Sequence, residues 1–158
     1  MNSVGAIVVA FFAVLWVAAG VNQLGRCFLP VLTISILIST AIVAASFRIP
    51  FGSDGAAFDG KIYGIFVTLE VVAIVIVAVW INRIGAKQYL IPVIAIIVGL
   101  HFFGMVPALH SNEFWFVGGA MCVLPVLAML ILPQRAWAPV VGVGCAVILW
   151  LSAVCAFF

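Results

Sequence analysis

Long, uninterrupted apolar runs constrain this chain more than any other feature of its sequence. A helix of about 20 apolar residues crosses a hydrocarbon core about 30 Å thick, and six runs of about that length follow one another along the chain. Each run ends at polar or charged residues, and none shows the period-two alternation of a membrane β-strand. The predicted spans are residues 4–21, 28–47, 62–81, 88–109, 114–132 and 136–158.

The composition argues against a soluble fold. Hydrophobic residues make up 68% of the 158 residues and charged residues only 6%, whereas soluble domains average about 45–50% and about 25%. A water-soluble protein with so few charges would expose large apolar patches and associate. The sequence therefore predicts an all-α fold class, a polytopic transmembrane helical bundle of about six spans with short loops. It predicts a single integral membrane domain over residues 1–158.

Lysine and arginine are distributed unevenly between the two predicted faces of this bundle. One face carries four positive residues and no acid, namely Arg26, Arg83, Lys87 and Arg135. Because cytoplasmic loops are enriched in lysine and arginine, this face is predicted to be cytoplasmic. Both termini would then lie on the non-cytoplasmic side of a plasma or inner membrane. No basic cluster suits nucleic acid, and no polybasic run of the kind that binds anionic lipid is present.

Two ionisable side chains lie well inside the predicted spans, Glu70 in the third and His101 in the fourth. A charge at the bilayer centre costs a few kcal/mol by insertion scales, and such residues normally face the bundle interior and have partners. The short connection near Gly85 makes the two spans an antiparallel hairpin. Glu70 lies 15 residues before Gly85 and His101 lies 16 after it. With a rise of about 1.5 Å per residue, the two side chains are predicted to lie at nearly the same depth.

A polar pocket of Glu70, His101 and Tyr63, reached from the outer surface, is the predicted functional site. Tyr63 shares a helical face with Glu70, and Gly104 is predicted to leave room beside the imidazole. The pair can exist as an ion pair or as a neutral hydrogen bond, with coupled titration. Such a pair suits the binding of a proton, and it equally suits a structural clasp between two helices.

Loop side chains provide weaker candidates for a metal site. His110 and Glu113 lie in one predicted outer loop, and Asp54 and Asp59 lie in the other. Carboxylates and imidazole are ordinary ligands for divalent cations, but solvated loop charges are the favoured interpretation. The four cysteines form no CxxC pair and have no histidine at ligand spacing, so no metal or other cofactor is predicted.

Small residues at every fourth position predict places where helices approach closely. Ala138, Gly142 and Ala146 form such a stripe in the sixth span, and Ser35 with Ser39 form one in the second. In lipid, small side chains allow two helix backbones to come together.

Three functions are compatible with these features. The favoured hypothesis is a small transporter or permease, coupled to protons through the Glu-His pair and expected to work as a homodimer on a small solute or on protons. The alternatives are an accessory or assembly subunit of a membrane complex and a membrane-embedded enzyme acting on a lipid-like substrate, with Glu70 and His101 as acid and base. An enzyme is the less favoured because no nucleophile constellation accompanies the pair. Membrane lipid is the one partner common to all three.

Overall fold

Six α-helices follow one another along the chain. A computed structural model describes residues 3–22, 28–47, 60–109 and 112–155, and none of these residues is in a β-strand. The all-α fold class is therefore confirmed. A short 3-10 turn, Lys87–Tyr89, precedes the fourth helix. The helices are α1 (Ser3–Val21), α2 (Phe28–Ser46), α3 (Gly60–Arg83), α4 (Leu90–Leu109), α5 (Glu113–Ile131) and α6 (Gln134–Cys155).

Helix length and composition identify a transmembrane bundle. Within the described part of the chain, α2 to α6 provide five helices that are long and apolar enough to cross a membrane. They contain 19 to 24 residues, which corresponds to about 28–36 Å at the helical rise. The first predicted span also forms a helix, α1, which contains 19 residues.

Predicted and observed helix ends agree within two residues wherever the structure describes them. The third helix extends beyond its predicted end at residue 81 because a polar side chain is satisfied locally. Asn82 donates a side-chain hydrogen bond of 2.8 Å to the carbonyl oxygen of Ala78. A polar side chain that donates to the carbonyl oxygen one turn earlier in its own helix is satisfied there, so the helix does not have to end at that residue.

Contacts within the chain divide it into two compact units, residues 1–55 with 142–158 and residues 56–141. In the first unit, α1 meets the second half of α6 at Gly142. A Cβ atom placed on Gly142 would lie 2.6 Å from Gly20 Cα and 2.6 Å from the Trp16 carbonyl oxygen. Gly142 thus brings two backbones together, as small residues do in membrane bundles. Ala138 and Ala146, the other two members of the predicted stripe, are also buried.

A buried polar link joins three helices of the first unit. The indole nitrogen of Trp150 on α6 donates to the hydroxyl of Ser39 on α2 over 2.9 Å. The same hydroxyl donates to the carbonyl oxygen of Ala10 on α1 over 3.0 Å. An indole N–H in hydrocarbon needs an acceptor, and Ser39 supplies one while passing its own proton on to a third helix.

In the second unit, α4 packs against both α3 and α5. The α3–α4 connection ends α3 with a Schellman motif. The amide of Ala86 donates to the Ile81 carbonyl over 3.1 Å, and the amide of Gly85 donates to the Asn82 carbonyl over 3.3 Å. This motif needs a left-handed residue, and Gly85 has φ +72°. The turn therefore reverses the chain within a few residues and fixes the register of α4 against α3.

We predict that replacing Gly85 with alanine lowers the free energy of unfolding by about 1 kcal/mol, because a Cβ atom destabilises left-handed backbone. No neighbouring atom lies within 4 Å of that Cβ position, so the effect is a backbone effect alone. Gly64→Ala is the matched control. Gly64 lies inside α3 and also has open space around it, so alanine there should stabilise the helix by about 0.5–1 kcal/mol. Unfolding in mixed detergent micelles measures both changes, and equal changes in the two variants would contradict the role given to Gly85.

Candidate intramembrane polar site

The α3–α4 hairpin brings Glu70 and His101 into contact. Nδ1 of His101 lies 3.4 Å from Oε2 of Glu70. The sequence placed the two residues at equal depth but left open whether they face each other. In the structure they do, so the carboxyl group on α3 and the imidazole on α4 form one site, which we call the Glu70–His101 pair.

The pair is largely shielded from its surroundings. The exposed fraction of the side chain is 9% for His101 and 18% for Glu70. Nδ1 of His101 is buried and has no hydrogen-bond partner among the described residues. The 3.4 Å contact is therefore an electrostatic one whose alignment falls short of a hydrogen bond.

Aromatic rings lie near the imidazole. A Cβ atom placed on Gly104 would overlap the ring of Phe66 on α3, so the space that the sequence predicted beside His101 is filled by that ring. Phe102 meets the His101 ring edge-on at a centroid distance of 6.1 Å. Phe102 also stacks on Phe114 of α5 at 5.8 Å. Rings on these sides limit the polar groups that can reach His101, which strengthens the electrostatic effect of Glu70.

Close packing of α4 on α5 holds the other side of α4. A Cβ atom on Gly99 would lie 2.7 Å from Sγ of Cys122, and one on Gly118 would lie 2.8 Å from the Gly99 carbonyl oxygen. The Cys122 thiol donates to the Ile96 carbonyl over 3.7 Å. Small residues therefore fix α4 against α5 about half a turn before His101.

The segment from Gly99 to Gly104 thus carries most of the contacts that define this site. Its two glycines admit α5 and the Phe66 ring, and His101 between them meets Glu70. The segment also carries the Phe103 ring, which lies 5.3 Å from the ring of Trp115 on α5. A stretch of six residues consequently positions the imidazole against both neighbouring helices.

Tyr63 lies seven residues before Glu70 on α3 and is half-buried. This spacing is about two helical turns, roughly 10 Å along the axis. Its membership in the pocket stays a prediction. Thr68 is exposed and donates to the Gly64 carbonyl over 2.7 Å, so its hydroxyl is satisfied within α3 and does not take part in the site.

Only one of the four weaker metal candidates, Glu113, is among the described residues. His110, Asp54 and Asp59 lie outside the described residues, and Glu113 begins α5. Among the residues that the structure describes, no group of three or more His, Cys, Asp or Glu side chains could hold a metal ion. The loop site remains a prediction.

The Phe66 ring was not predicted to fill the space beside Gly104, although the sequence contains the necessary signal. Phe66 lies 19 residues before Gly85 and Gly104 lies 19 residues after it. The arithmetic that matched Glu70 with His101 therefore also matches this pair. The Ser39–Trp150 link was not predicted either, and its signal was an indole deep inside an apolar run.

Comparison with known proteins adds no identification. No protein family model, curated protein or solved structure matches this chain. A carboxyl and an imidazole lie 3.4 Å apart in this site, and both are groups that take up and release protons in their ordinary chemistry.

We predict that Gly104→Ala destabilises the protein by about 1–3 kcal/mol, because the added Cβ must displace the Phe66 ring in a packed interface. Gly119→Ala is the matched control, since its Cβ would meet no atom within 4 Å. The double variant Gly104→Ala with Phe66→Leu should recover part of the loss. Mixed-micelle unfolding measures all three proteins. If Gly104→Ala were as stable as Gly119→Ala, the ring would not occupy the space described.

Proposed function

We propose that this protein is a small proton-coupled membrane transporter in which the Glu70–His101 pair binds the proton. The observation that carries the proposal is the pair itself. An acid and an imidazole lie 3.4 Å apart with exposed side-chain fractions of 18% and 9%, on helices that are long and apolar enough to span a bilayer. Ionisable groups in such positions most often serve transport or proton relay.

The physical basis of the proposal is a balance between two opposing effects. Removal from water favours the neutral form of each group, while a close partner favours the charged forms. In the pair these effects compete, so an ion pair and a neutral pair can be close in free energy. A proton or a solute that changes this balance would also change the contact between α3 and α4, and this coupling is what a transporter requires.

The remaining parts of the proposal follow from size and charge. A bundle of this size offers little room for a solute path, so we propose that a homodimer is the working unit. The solute would be small, with the proton entering from the outer surface past Tyr63. We propose a plasma or inner membrane as the location.

For orientation we propose that the face carrying Arg83, Lys87 and Arg135 is cytoplasmic and that both termini are on the opposite side. The support is the excess of positive residues on that face. A reporter enzyme fused after Phe158, active only in the cytoplasm, should therefore be inactive. The same reporter inserted at Gly85 should be active, and the reverse pattern would overturn the orientation.

The proposed activity is tested by proton flux in liposomes that contain the purified protein and a pH-sensitive dye. We expect wild-type protein to give a flux driven by a membrane potential or by one of a panel of small solutes. Glu70→Gln and His101→Gln should each reduce it by about a hundredfold, the usual contribution of a positioned proton-transfer group. Thr68→Val is the matched control, because it removes a polar group from α3 whose hydrogen bond is local; its flux should equal that of wild type.

Two outcomes would contradict the proposal. If no solute and no potential drives proton flux through the wild-type protein, the chain is not a proton-coupled transporter. If the flux is present but survives both substitutions, the Glu70–His101 pair is a structural clasp. Mixed-micelle unfolding of the same variants separates a lost activity from a lost fold.

A further inference from the structure

Positive charge gathers at the end of the second unit that carries the α3–α4 turn. Arg83 ends α3, Lys87 begins the 3-10 turn, and Arg135 lies in the first turn of α6. All three are exposed. The two acids among the described residues are elsewhere, since Glu70 lies in mid-helix and Glu113 begins α5 at the opposite end. This end of the unit is therefore cationic without a compensating acid in the described ranges.

The fold brings together two segments that each carry a cation and that are far apart in the sequence. The rings of Tyr89 and Trp137 lie 5.2 Å apart, so the 3-10 turn is held beside the start of α6. Lys87 is two residues from one of these rings and Arg135 is two residues from the other. A polybasic run is absent from the sequence, and this contact assembles a cationic surface from two separate segments instead. Tyrosine and tryptophan at such a position also fit the depth of lipid headgroups.

An apolar groove opens beside this cationic surface. It has a cavity volume of about 190 Å³ and is lined by Leu124, Leu127, Ala128, Ile131, Leu132 and Val140. Its α5 residues extend over about 10 Å from Leu124 to Ile131 at the helical rise. At the cationic end, the carbonyl oxygen of Leu132 accepts a hydrogen bond of 3.0 Å from the Trp137 indole. The groove and the cationic surface therefore share one stretch of backbone.

We propose that this end of the second unit is a binding site for an anionic phospholipid. One acyl chain lies in the groove between α5 and α6, and the phosphate group lies against Lys87 and Arg135. Two features specify this ligand. The groove has an uncharged lining, which suits a hydrocarbon chain. The cationic surface has no acid among the described residues, which suits a negative headgroup. A zwitterionic lipid meets only the first requirement, and a free phosphate ester meets only the second.

The site is tested with purified, delipidated protein in an uncharged detergent, by native mass spectrometry of bound lipid. Phosphatidylglycerol should bind more tightly than phosphatidylcholine with the same acyl chains. Lys87→Gln and Arg135→Gln should each weaken phosphatidylglycerol binding by about fivefold, the value of one cation near an anionic headgroup. Neither substitution should change the affinity for phosphatidylcholine. Val140→Trp, which fills the groove from an exposed position, should weaken the binding of both lipids.

Matched controls separate this site from ordinary lipid contact. Lys61→Gln removes a charge from the opposite end of α3, and Leu130→Trp adds a ring to α5 at an exposed position outside the groove; neither should change binding. If the wild-type protein bound phosphatidylglycerol and phosphatidylcholine with equal affinity, that result alone would overturn the proposal. If glycerol phosphate displaced phosphatidylglycerol when both were present at the same concentration, the site would be one for free phosphate esters. That result would also overturn the proposal.

Discussion

Hydrocarbon cannot solvate an isolated carboxyl or imidazole, and this constraint governs the second unit of the protein. Either group alone inside a span would be costly, so each must find a polar partner, reach the headgroups or lose its charge. Glu70 and His101 meet at 3.4 Å with both side chains largely buried. Their encounter requires a fixed register between α3 and α4, a fixed rotation of α4, and space for the rings around them. The Gly85 turn supplies the register, and the glycines at 99 and 104 supply the close approaches.

The contact between Glu70 and His101 differs in kind from the other polar contacts inside the bundle. Ser39 and Trp150 form aligned hydrogen bonds of 2.9 and 3.0 Å that leave neither donor unsatisfied. Such hydrogen bonds stabilise helix packing, and they involve no change of charge. Nδ1 of His101 is buried without an aligned bond. This difference is the reason that we propose a function for the pair and a packing role for the Ser39 link.

The sequence predicted the spans, the fold class and the equal depth of Glu70 and His101, because these depend only on run length and on the helical rise. Rotation of each helix was harder to predict. α4 is apolar on almost all sides, so hydrophobic periodicity does not distinguish the side that meets α3 from the side that meets α5. For the same reason, Gly104 suggested an open space, whereas the Phe66 ring fills it. The sequence placed Lys87 and Arg135 on one face of the bundle, but it did not predict the contact between Tyr89 and Trp137, because that contact joins distant segments.

The central claim is that Glu70 and His101 are in contact inside the bilayer, and nitrogen NMR of the imidazole tests it most directly. The chain has two histidines, so His110→Gln leaves His101 as the only source of imidazole signals in ¹⁵N-histidine-labelled protein reconstituted in lipid. Because Nδ1 of His101 lies 3.4 Å from Oε2 of Glu70, we expect Glu70→Gln to shift the Nδ1 resonance of His101. An Nδ1 resonance that is unchanged in the Glu70→Gln protein would contradict the contact.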